Sequence, residues 1–302
     1  MSTALHEGLV ISAHGRHCVV EAASGERTLC HPRGKKSQAV VGDRVQWQAT
    51  GDEGIIEQLL PRRNLLYRQD ELRTKSFAAN IDLVLMCIAA EPEFSEQQLT
   101  RALIAARAEG IEALIVLNKQ DVQPAFDRAW NKLEPYRKMG ETVLAISLKQ
   151  PDVSSTSLAH VQAKLQGRST LVLGPSGAGK STLINLLVPH AQAQTAEISR
   201  ALQSGKHTTT STTWYWCDTK RDTAVIDSPG FQEFGLHHIE ATALARLMPD
   251  LAPYVGQCRF YNCTHMHEPG CAVQAEIEGA IHPQRYKLYQ TLFEELNAPQ
   301  RY

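Results

Sequence analysis

The stretch Gly174-Pro175-Ser176-Gly177-Ala178-Gly179-Lys180-Ser181 fits the phosphate-loop pattern G-x-x-x-x-G-K-[ST]. It stands between an apolar run, STLVLG, and a helical one, KSTLINLLV, which is the strand-loop-helix setting such a loop needs. Its glycines let backbone N–H groups turn inward around phosphates, and the start of the following helix favours anionic charge. Lys180 is expected to reach the β- and γ-phosphates as a catalytic cation. The Ser181 hydroxyl is expected on Mg²⁺, with Thr182 next to it in the same first turn. Taken alone, the loop selects a nucleoside triphosphate without choosing its base.

A choice of base is offered by Asn118-Lys119-Gln120-Asp121, which closes the apolar run EALIVL. An N-K-x-D sequence reads guanine when the Asp carboxylate accepts from the ring N–H and the exocyclic amine. Adenine cannot present that donor pair, so a buried Asp121 left unpaired would reject it. Asn118 would steady the loop and touch the base, and the Lys119 stem would lie along the ring. Ser147-Leu148-Lys149 ends the next strand and resembles the short S-A-K loop that supplies a last guanine contact. Each of these is weak in isolation, since N-K-x-D is common as a surface turn.

Asp227-Ser228-Pro229-Gly230 ends the run TAVI and gives a D-x-x-G element. Asp227 would hold the Mg²⁺ shell, and the Gly230 N–H would sense a γ-phosphate. Lys206-His207-Thr208-Thr209-Thr210 lies where a first switch loop belongs, with Thr208 or Thr209 preferred to complete the Mg²⁺ shell. The position after D-x-x-G, where many GTPases carry a water-orienting Gln, is Phe231 here. Slow intrinsic turnover with activation by a partner follows, and His207 becomes the catalytic candidate for polarising water.

Cys258-x4-Cys263-x-His265-x5-Cys271 offers three thiolates and an imidazole, a Cys₃His set suited to one closed structural Zn²⁺ site. His267 competes with His265, but Cys-x-His is preferred. Of seven cysteines, three lie in this cluster, which fits a reducing compartment better than a disulfide framework. Cys18, Cys30, Cys87 and Cys217 sit in strand-like runs and read as small packed residues.

The elements that must position these groups change character along the chain. N-terminal runs such as GLVISA, HCVVEA, RVQWQA and GIIEQLL alternate apolar with polar residues between turn signals. About five strands of that kind make a small barrel, with an OB-fold the economical choice and an SH3-like barrel the alternative. From Ile81 the chain alternates strand and helix, which means βαβ units and a mostly parallel sheet. Beyond about His238 it reads as mostly helical. The fold class expected is an α/β P-loop GTPase with permuted motif order, flanked by an N-terminal OB barrel and a C-terminal helical zinc-binding domain. The divisions are residues 1–66 (barrel), 67–237 (GTPase) and 238–302 (zinc).

The order of motifs is not that of an ordinary GTPase. Base-reading elements come first, then the phosphate loop, the switch threonines and D-x-x-G. All of them fall at strand ends, so one sheet face can still gather them. A permuted GTPase between an OB-like barrel and a Cys/His cluster resembles the bacterial ribosome small-subunit-dependent GTPase A family over essentially the whole chain. The residues that carry the resemblance are NKQD at 118–121, GPSGAGKS at 174–181, GKHTTT at 205–210, DSPG at 227–230 and the four Cys/His positions. One departure is Ser228, where the family usually has Thr. The resemblance implies binding to the small ribosomal subunit and its rRNA late in assembly, with GTP hydrolysed to GDP under ribosomal stimulation. The rival readings are an ATP-driven enzyme and a nucleotide-regulated RNA-binding scaffold that scarcely hydrolyses.

Composition limits the rest. With 302 residues, 43% hydrophobic and 21% charged, the chain should pack into two or three domains. A net charge of −1 means that RNA contacts must rest on local patches. Up to Lys75 there are 11 basic and 9 acidic residues, with clusters at Arg33, Lys35 and Lys36 and at Arg62, Arg63, Arg68, Arg73 and Lys75. Aromatic platforms are sparse there (Trp47, Tyr67), favouring backbone and shape contacts. The start lacks a signal peptide, and the run Ile81–Ala90 is too short for a membrane span. A cytoplasmic monomer without membrane contact is expected.

Overall fold

The alternating N-terminal runs form five strands: β1 (His6–His14), β2 (His17–Ala22), β3 (Arg27–Pro32), β4 (Arg44–Thr50) and β5 (Glu53–Leu59). The computed structural model describes residues 4–15, 17–34, 39–70, 74–149, 151–188, 191, 212–229 and 234–298. Strand β1 pairs antiparallel with β2, β2 with β3, β3 lies parallel to β5, and β5 pairs with β4. Strand β4 then returns to β1 and closes the barrel in the OB order. Inside lie Val10, Val20, Val45, Trp47 and Ile56, with Cys18 and Cys30 as the small packed residues expected. Leu9 and Ile11, on the opposite side of β1, join the core of the neighbouring domain instead. Period-two alternation thus serves two cores from one strand.

The parallel sheet is built from β8 (Leu83–Ala89), β9 (Glu112–Asn118), β10 (Thr142–Ala145), β11 (Ser169–Leu173), β12 (Thr213–Trp216) and β13 (Ala224–Asp227). Its order is β10-β9-β8-β11-β13-β12, with only β12 antiparallel to its neighbour. All seven residues of β8 are buried, as a central strand covered on both faces requires. Val84, Met86 and Ile88 face the core that contains α1 (Glu96–Ala108), while Leu85 and Cys87 face the layer of α4 (Pro151–Leu165) and α5 (Lys180–Leu187). Helix α1 starts at Ser95, whose side chain accepts from the Gln98 N–H. The stretch 125–138 divides into α2 (Ala125–Lys132) and α3 (Glu134–Lys138), with Pro135 in the first turn of the second. Proline has no N–H to continue the α2 ladder but fits the opening turn of a new helix.

Two pieces were not anticipated. A separate hairpin of β6 (Leu65–Gln69) and β7 (Thr74–Ala79) runs through the basic cluster of residues 62–75. Ser12 of β1 pairs with Thr213 of β12, which joins barrel and sheet edge to edge.

Beyond residue 238 the chain forms 3-10 turns at Ala241–Leu247 and Ala252–Tyr254, the one-turn helix α6 (Ala272–Ala275) and the long helix α7 (Pro283–Asn297). Arg285 of α7 is 2% exposed. Its guanidinium donates to Asp250 at 2.8 Å and to Thr100 Oγ1 of α1 at 2.8 Å, and lies over the Tyr136 ring at 4.9 Å. A cation this deep is tolerated only because its donors find acceptors. Arg101 of α1 and Glu295 of α7 add a second ion pair across the same seam. Among the described residues, no helix is long and apolar enough to cross a membrane.

Candidate functional site

Strands β9, β11 and β13 end at one cleft of about 500 Å³, where a parallel sheet leaves room for ligands. Asn118, Lys119, Asp121, Ser176, Gly177, Gly179, Lys180, Ser181, Thr182 and Asp227 all line it. Motifs far apart in sequence therefore meet despite their permuted order.

Asn118 holds three of them together. Its Nδ2 donates to the Ala178 carbonyl at 2.9 Å, and its Oδ1 accepts from the N–H groups of Lys119 at 2.7 Å and Leu148 at 3.2 Å. The base-reading turn, the phosphate loop and the Ser147-Leu148-Lys149 loop are thus tied through one side chain, itself 4% exposed. The phosphate loop is pressed hard onto these strands. A Cβ on Gly174 would sit 2.0 Å from the Cys87 carbonyl oxygen, and one on Gly179 would sit 2.3 Å from Asn118 Nδ2. Both glycines also have positive φ, at 151° and 102°.

Ser147 Oγ donates to Asp121 Oδ1 at 2.5 Å and holds that carboxyl below the usual range. The sequence suggested a last guanine contact from the loop of Ser147; its side chain is seen here bonded to Asp121. Leu148 and Lys149 also line the cleft. Lys119 has φ of 68°, and its ammonium donates to the Glu91 carbonyl, so its stem runs back across the turn.

The Lys180 ammonium donates to the carbonyls of Gly174 and Pro175, both at 2.8 Å. Burial lowers its pKa, opposed by Cys87 and Asp227. Burial also pushes the Asp227 carboxyl up to about 6, with Lys180 opposing. A half-buried carboxylate and a serine hydroxyl beside a phosphate loop are the hard oxygen donors that Mg²⁺ takes together with substrate phosphates. Ser228 Oγ donates to the Val172 carbonyl at 3.1 Å, so the departure from the family's Thr keeps a hydroxyl bonded to β11. Pro175 lies on the loop, partly exposed. His207, Thr208, Thr209 and Gly230, with Phe231 and Gln232, lie outside the described residues.

The second site is the Cys/His loop. One ligand atom from each of Cys258, Cys263, His265 and Cys271 lies within 4.8 Å of all the others. His265 Nδ1 is 3.4 Å from the sulfurs of Cys258 and Cys271, which are 3.9 Å from each other. A tetrahedral zinc with ordinary bond lengths puts sulfurs about 3.8 Å apart and sulfur and nitrogen about 3.5 Å apart. Cys258, His265 and Cys271 stand at that spacing, and Cys263 lies within 4.8 Å of all three, so the set suits such an ion. His267 is exposed and takes no part. Burial lowers the His265 pKa and so favours the neutral imidazole that ligates. Burial raises the Cys263 thiol to about 12, its thiol neighbours adding to the effect, a crowding that a divalent cation would relieve.

The loop has supports the sequence did not disclose. The Glu268 carboxylate accepts from the N–H groups of Thr264, Met266 and His267 and from Thr264 Oγ1. Against burial, these donors hold it down to about 2. From α7, the Tyr286 and Tyr289 hydroxyls donate to the carbonyls of His265 and Thr264 at 2.7 and 2.6 Å. Only an H-E-P-G turn signal hinted at this in the sequence.

Of the basic residues expected to face RNA, three of the described ones are held in ion pairs. Arg33 pairs with Glu57, Arg62 with the buried Asp43, and Arg63 with Asp82. Trp47 belongs to the barrel core, and Tyr67 sits 4.3 Å from the His238 ring. Lys35, Lys36 and Arg73 lie outside the described residues.

Comparison with known proteins agrees with this geometry. The RsgA GTPase family matches residues 59–237. The small ribosomal subunit biogenesis GTPase RsgA of Variovorax paradoxus is 65% identical over 298 residues, 97% of this chain and 93% of that one. Its counterpart in Paraburkholderia phytofirmans is 51% identical over 295 residues, covering 95% and 92%. Among solved structures, YjeQ from Thermotoga maritima superposes with a TM-score of 0.74 at 28% identity, covering 98% of this chain and 100% of that one. YloQ, a circularly permuted GTPase, gives 0.71 at 28%, covering 99% and 98%. With its permuted motifs gathered at one cleft and full-length relatives this similar, the chain belongs to the RsgA GTPase family.

Proposed function

We propose that this protein binds the small ribosomal subunit during its biogenesis and hydrolyses GTP to GDP and phosphate when the subunit stimulates it. The observation that carries the nucleotide part is Asn118, which ties the base-reading turn, the phosphate loop and the third loop into one cleft. The family match and the relatives' names support the reaction and the ribosomal setting. They go against a scaffold that scarcely hydrolyses. The rRNA contact, the monomeric state and the cytoplasmic location are parts of the same reading.

Asp121, oriented by Ser147, accepts from guanine, and Asn118 and Lys119 shape the base pocket. Backbone N–H groups of residues 174–181 cradle the phosphates, and Lys180 exchanges its two loop carbonyls for phosphate oxygens. That swap adds little reorganisation, because the ammonium is already held inside the loop. Ser181 and Asp227 would hold Mg²⁺, which would supply charge neutralisation for the phosphates. Thr208 or Thr209 and Gly230 complete the γ-phosphate side in this reading. With Phe231 in place of a water-orienting Gln, His207 polarises the attacking water. Cys258, Cys263, His265 and Cys271 would hold one structural zinc, which closes the loop and does no chemistry.

The test is GTP turnover by the purified protein with and without small subunits, with ATP as the control nucleotide. Stimulation confined to GTP is the expected result. Binding of GTP with no stimulation would sink the ribosomal part and leave the cleft's assignment standing. Unchanged stimulated turnover in His207→Ala would remove that residue from the mechanism.

A further inference from the structure

A second cleft, of about 370 Å³, lies at the opposite ends of the parallel strands, where the barrel meets the sheet. Arg44 of β4, Arg63, Arg221 and the indoles of Trp214 and Trp216 on β12 are in its walls. Neither the phosphate loop nor the Cys/His loop contributes to it. We infer that this junction is a binding site for one nucleotide of an RNA strand, with arginines on its phosphate and the Trp216 indole against its base.

The wall is organised from beneath by one buried carboxylate. Glu21 is 4% exposed. It accepts from Trp216 Nε1 at 2.7 Å and pairs with Arg27 at 2.9 Å and, more loosely, with Arg221 at 3.7 Å. An indole and a guanidinium are thereby held side by side at the rim, the pair that stacks on a base and meets its phosphate. Trp216 is partly exposed and so has a surface to offer, while Trp214 stands edge-on to it at 5.3 Å. The Trp214 N–H is shut off from solvent and has no acceptor among the described residues, so this wall is not a finished piece of core.

Charge favours an anion despite two acids in the lining. Asp82 is engaged by Arg63 and by the Ser169 N–H and hydroxyl, and Asp222 accepts from Thr223. Arg44 is exposed and, among the described residues, has no side-chain partner. A guanidinium left over beside two partly satisfied ones suits a phosphate, and the volume admits one nucleotide rather than a duplex. The site lies on both barrel and sheet, so an RNA strand seated there would register one against the other. This inference rests on the ribosomal reading for the presence of RNA, and on the cleft alone for the chemistry.

The experiment uses the full chain saturated with GDP and Mg²⁺, so that the guanine cleft is occupied. A short oligouridylate and, separately, UMP are titrated while tryptophan emission is followed; two of the four tryptophans line the cleft. Quenching by the oligomer is expected, with at least ten-fold weaker quenching by UMP. Arg44→Ala should weaken oligomer binding about ten-fold and lower its salt slope by about one. Because Arg44 is exposed, that variant keeps the fold, and a parallel Arg221→Ala should act in the same direction. No quenching, or identical titrations for both variants and the parent, would overturn the assignment. Equal affinity for UMP and the oligomer would overturn its RNA part in favour of a free nucleotide. Subunit-stimulated GTP hydrolysis measured alongside separates the two readings. Stimulation without oligomer binding refutes the cleft alone, and oligomer binding without stimulation refutes the ribosomal function alone.

Discussion

Replacing Asn118 with alanine should damage the guanine cleft far more than the loss of one surface amide would. The side chain makes three hydrogen bonds, to Ala178, Lys119 and Leu148, from a position 4% exposed. At about 1 kcal/mol net for each bond, the loss comes to about 3 kcal/mol, more if the freed groups stay dry. Part of this should appear as instability. For a domain of this size, about 3 kcal/mol corresponds to a fall in Tm of roughly 6–12 °C. The remainder should appear in nucleotide affinity, since GDP must then order three loops that no longer hold one another. A share of about 1.4 kcal/mol weakens binding ten-fold. Calorimetric titration of GDP and a thermal melt on the same preparation give both numbers. Asn118→Asp is the informative companion. It keeps the acceptor for Lys119 and Leu148 but turns an oxygen toward the Ala178 carbonyl, so it should rescue neither Tm nor affinity fully. A Tm and a GDP affinity both within error of the parent in Asn118→Ala would refute the claim that this residue ties the site.

Other consequences are as direct. Asp121→Asn replaces one of the two oxygens that accept from guanine with an NH₂ donor and should cost GTP about 100-fold or more in affinity while improving binding of xanthosine triphosphate, whose carbonyl accepts from the new amide. Retained GTP affinity in a direct titration would place the base elsewhere. Elemental analysis should find one zinc per chain, and chelation should release it and expose the α7 face around Tyr286 and Tyr289 to hydrogen exchange; a metal-free chain with unchanged exchange there would count against the site. The Arg101 bond holds the Glu295 carboxyl below its usual range. A depressed folded pKa means stability that is complete above the unfolded value, about 4.3, and is lost as pH falls through the lower folded value. Docking of α7 should therefore weaken in acid by up to about 1 kcal/mol, because the pair is partly exposed, and Arg101→Met should abolish this pH dependence of the melt.

The motifs were legible because their chemistry depends on residue types at fixed short spacings. The phosphate loop, NKQD, DSPG and the Cys/His set each announce a donor arrangement without help from the fold. What tied them together was not legible, because it depends on contacts between segments far apart in the chain. The sequence has Asn118 steadying its own loop and touching the base, and only the folded strands show its amide against Ala178, 60 positions away. Ser147 reads in the sequence as part of a guanine-contacting loop, and the fold shows its hydroxyl bonded to Asp121. The basic stretch after the barrel misled for a related reason. Its charges suggested an RNA-facing patch, whereas Leu66 and Phe77 are buried in a hairpin and Arg62 and Arg63 pair with Asp43 and Asp82. Charge clusters reveal little about function until their partners are known.

That hairpin bears on how nucleotide state could reach the rest of the molecule. The D-x-x-G element runs toward the C-terminal region, and the sequence alone suggests a lever acting directly on the Cys/His loop. The structure inserts a nearer contact. The Gln69 N–H donates to the Gly235 carbonyl at 3.1 Å, and the His237 N–H donates to the Gln69 carbonyl at 3.0 Å. The Phe77 and Phe234 rings stack with centroids 5.6 Å apart. Gly235 itself is wedged, since a Cβ there would sit 2.2 Å from Asp70 Oδ1 and 2.4 Å from the Gln69 carbonyl oxygen. A shift of Gly230 toward a γ-phosphate would therefore pull first on β6 and β7, whereas α7 is fixed to α1 by Arg285 and Arg101 and should follow less. Hydrogen exchange with a GTP analogue against GDP should differ most in residues 65–79 and less in 283–297. Identical exchange over both segments would mean that the γ-phosphate signal stops at the switch itself. A larger change in 283–297 would restore the direct lever and demote the hairpin to packing.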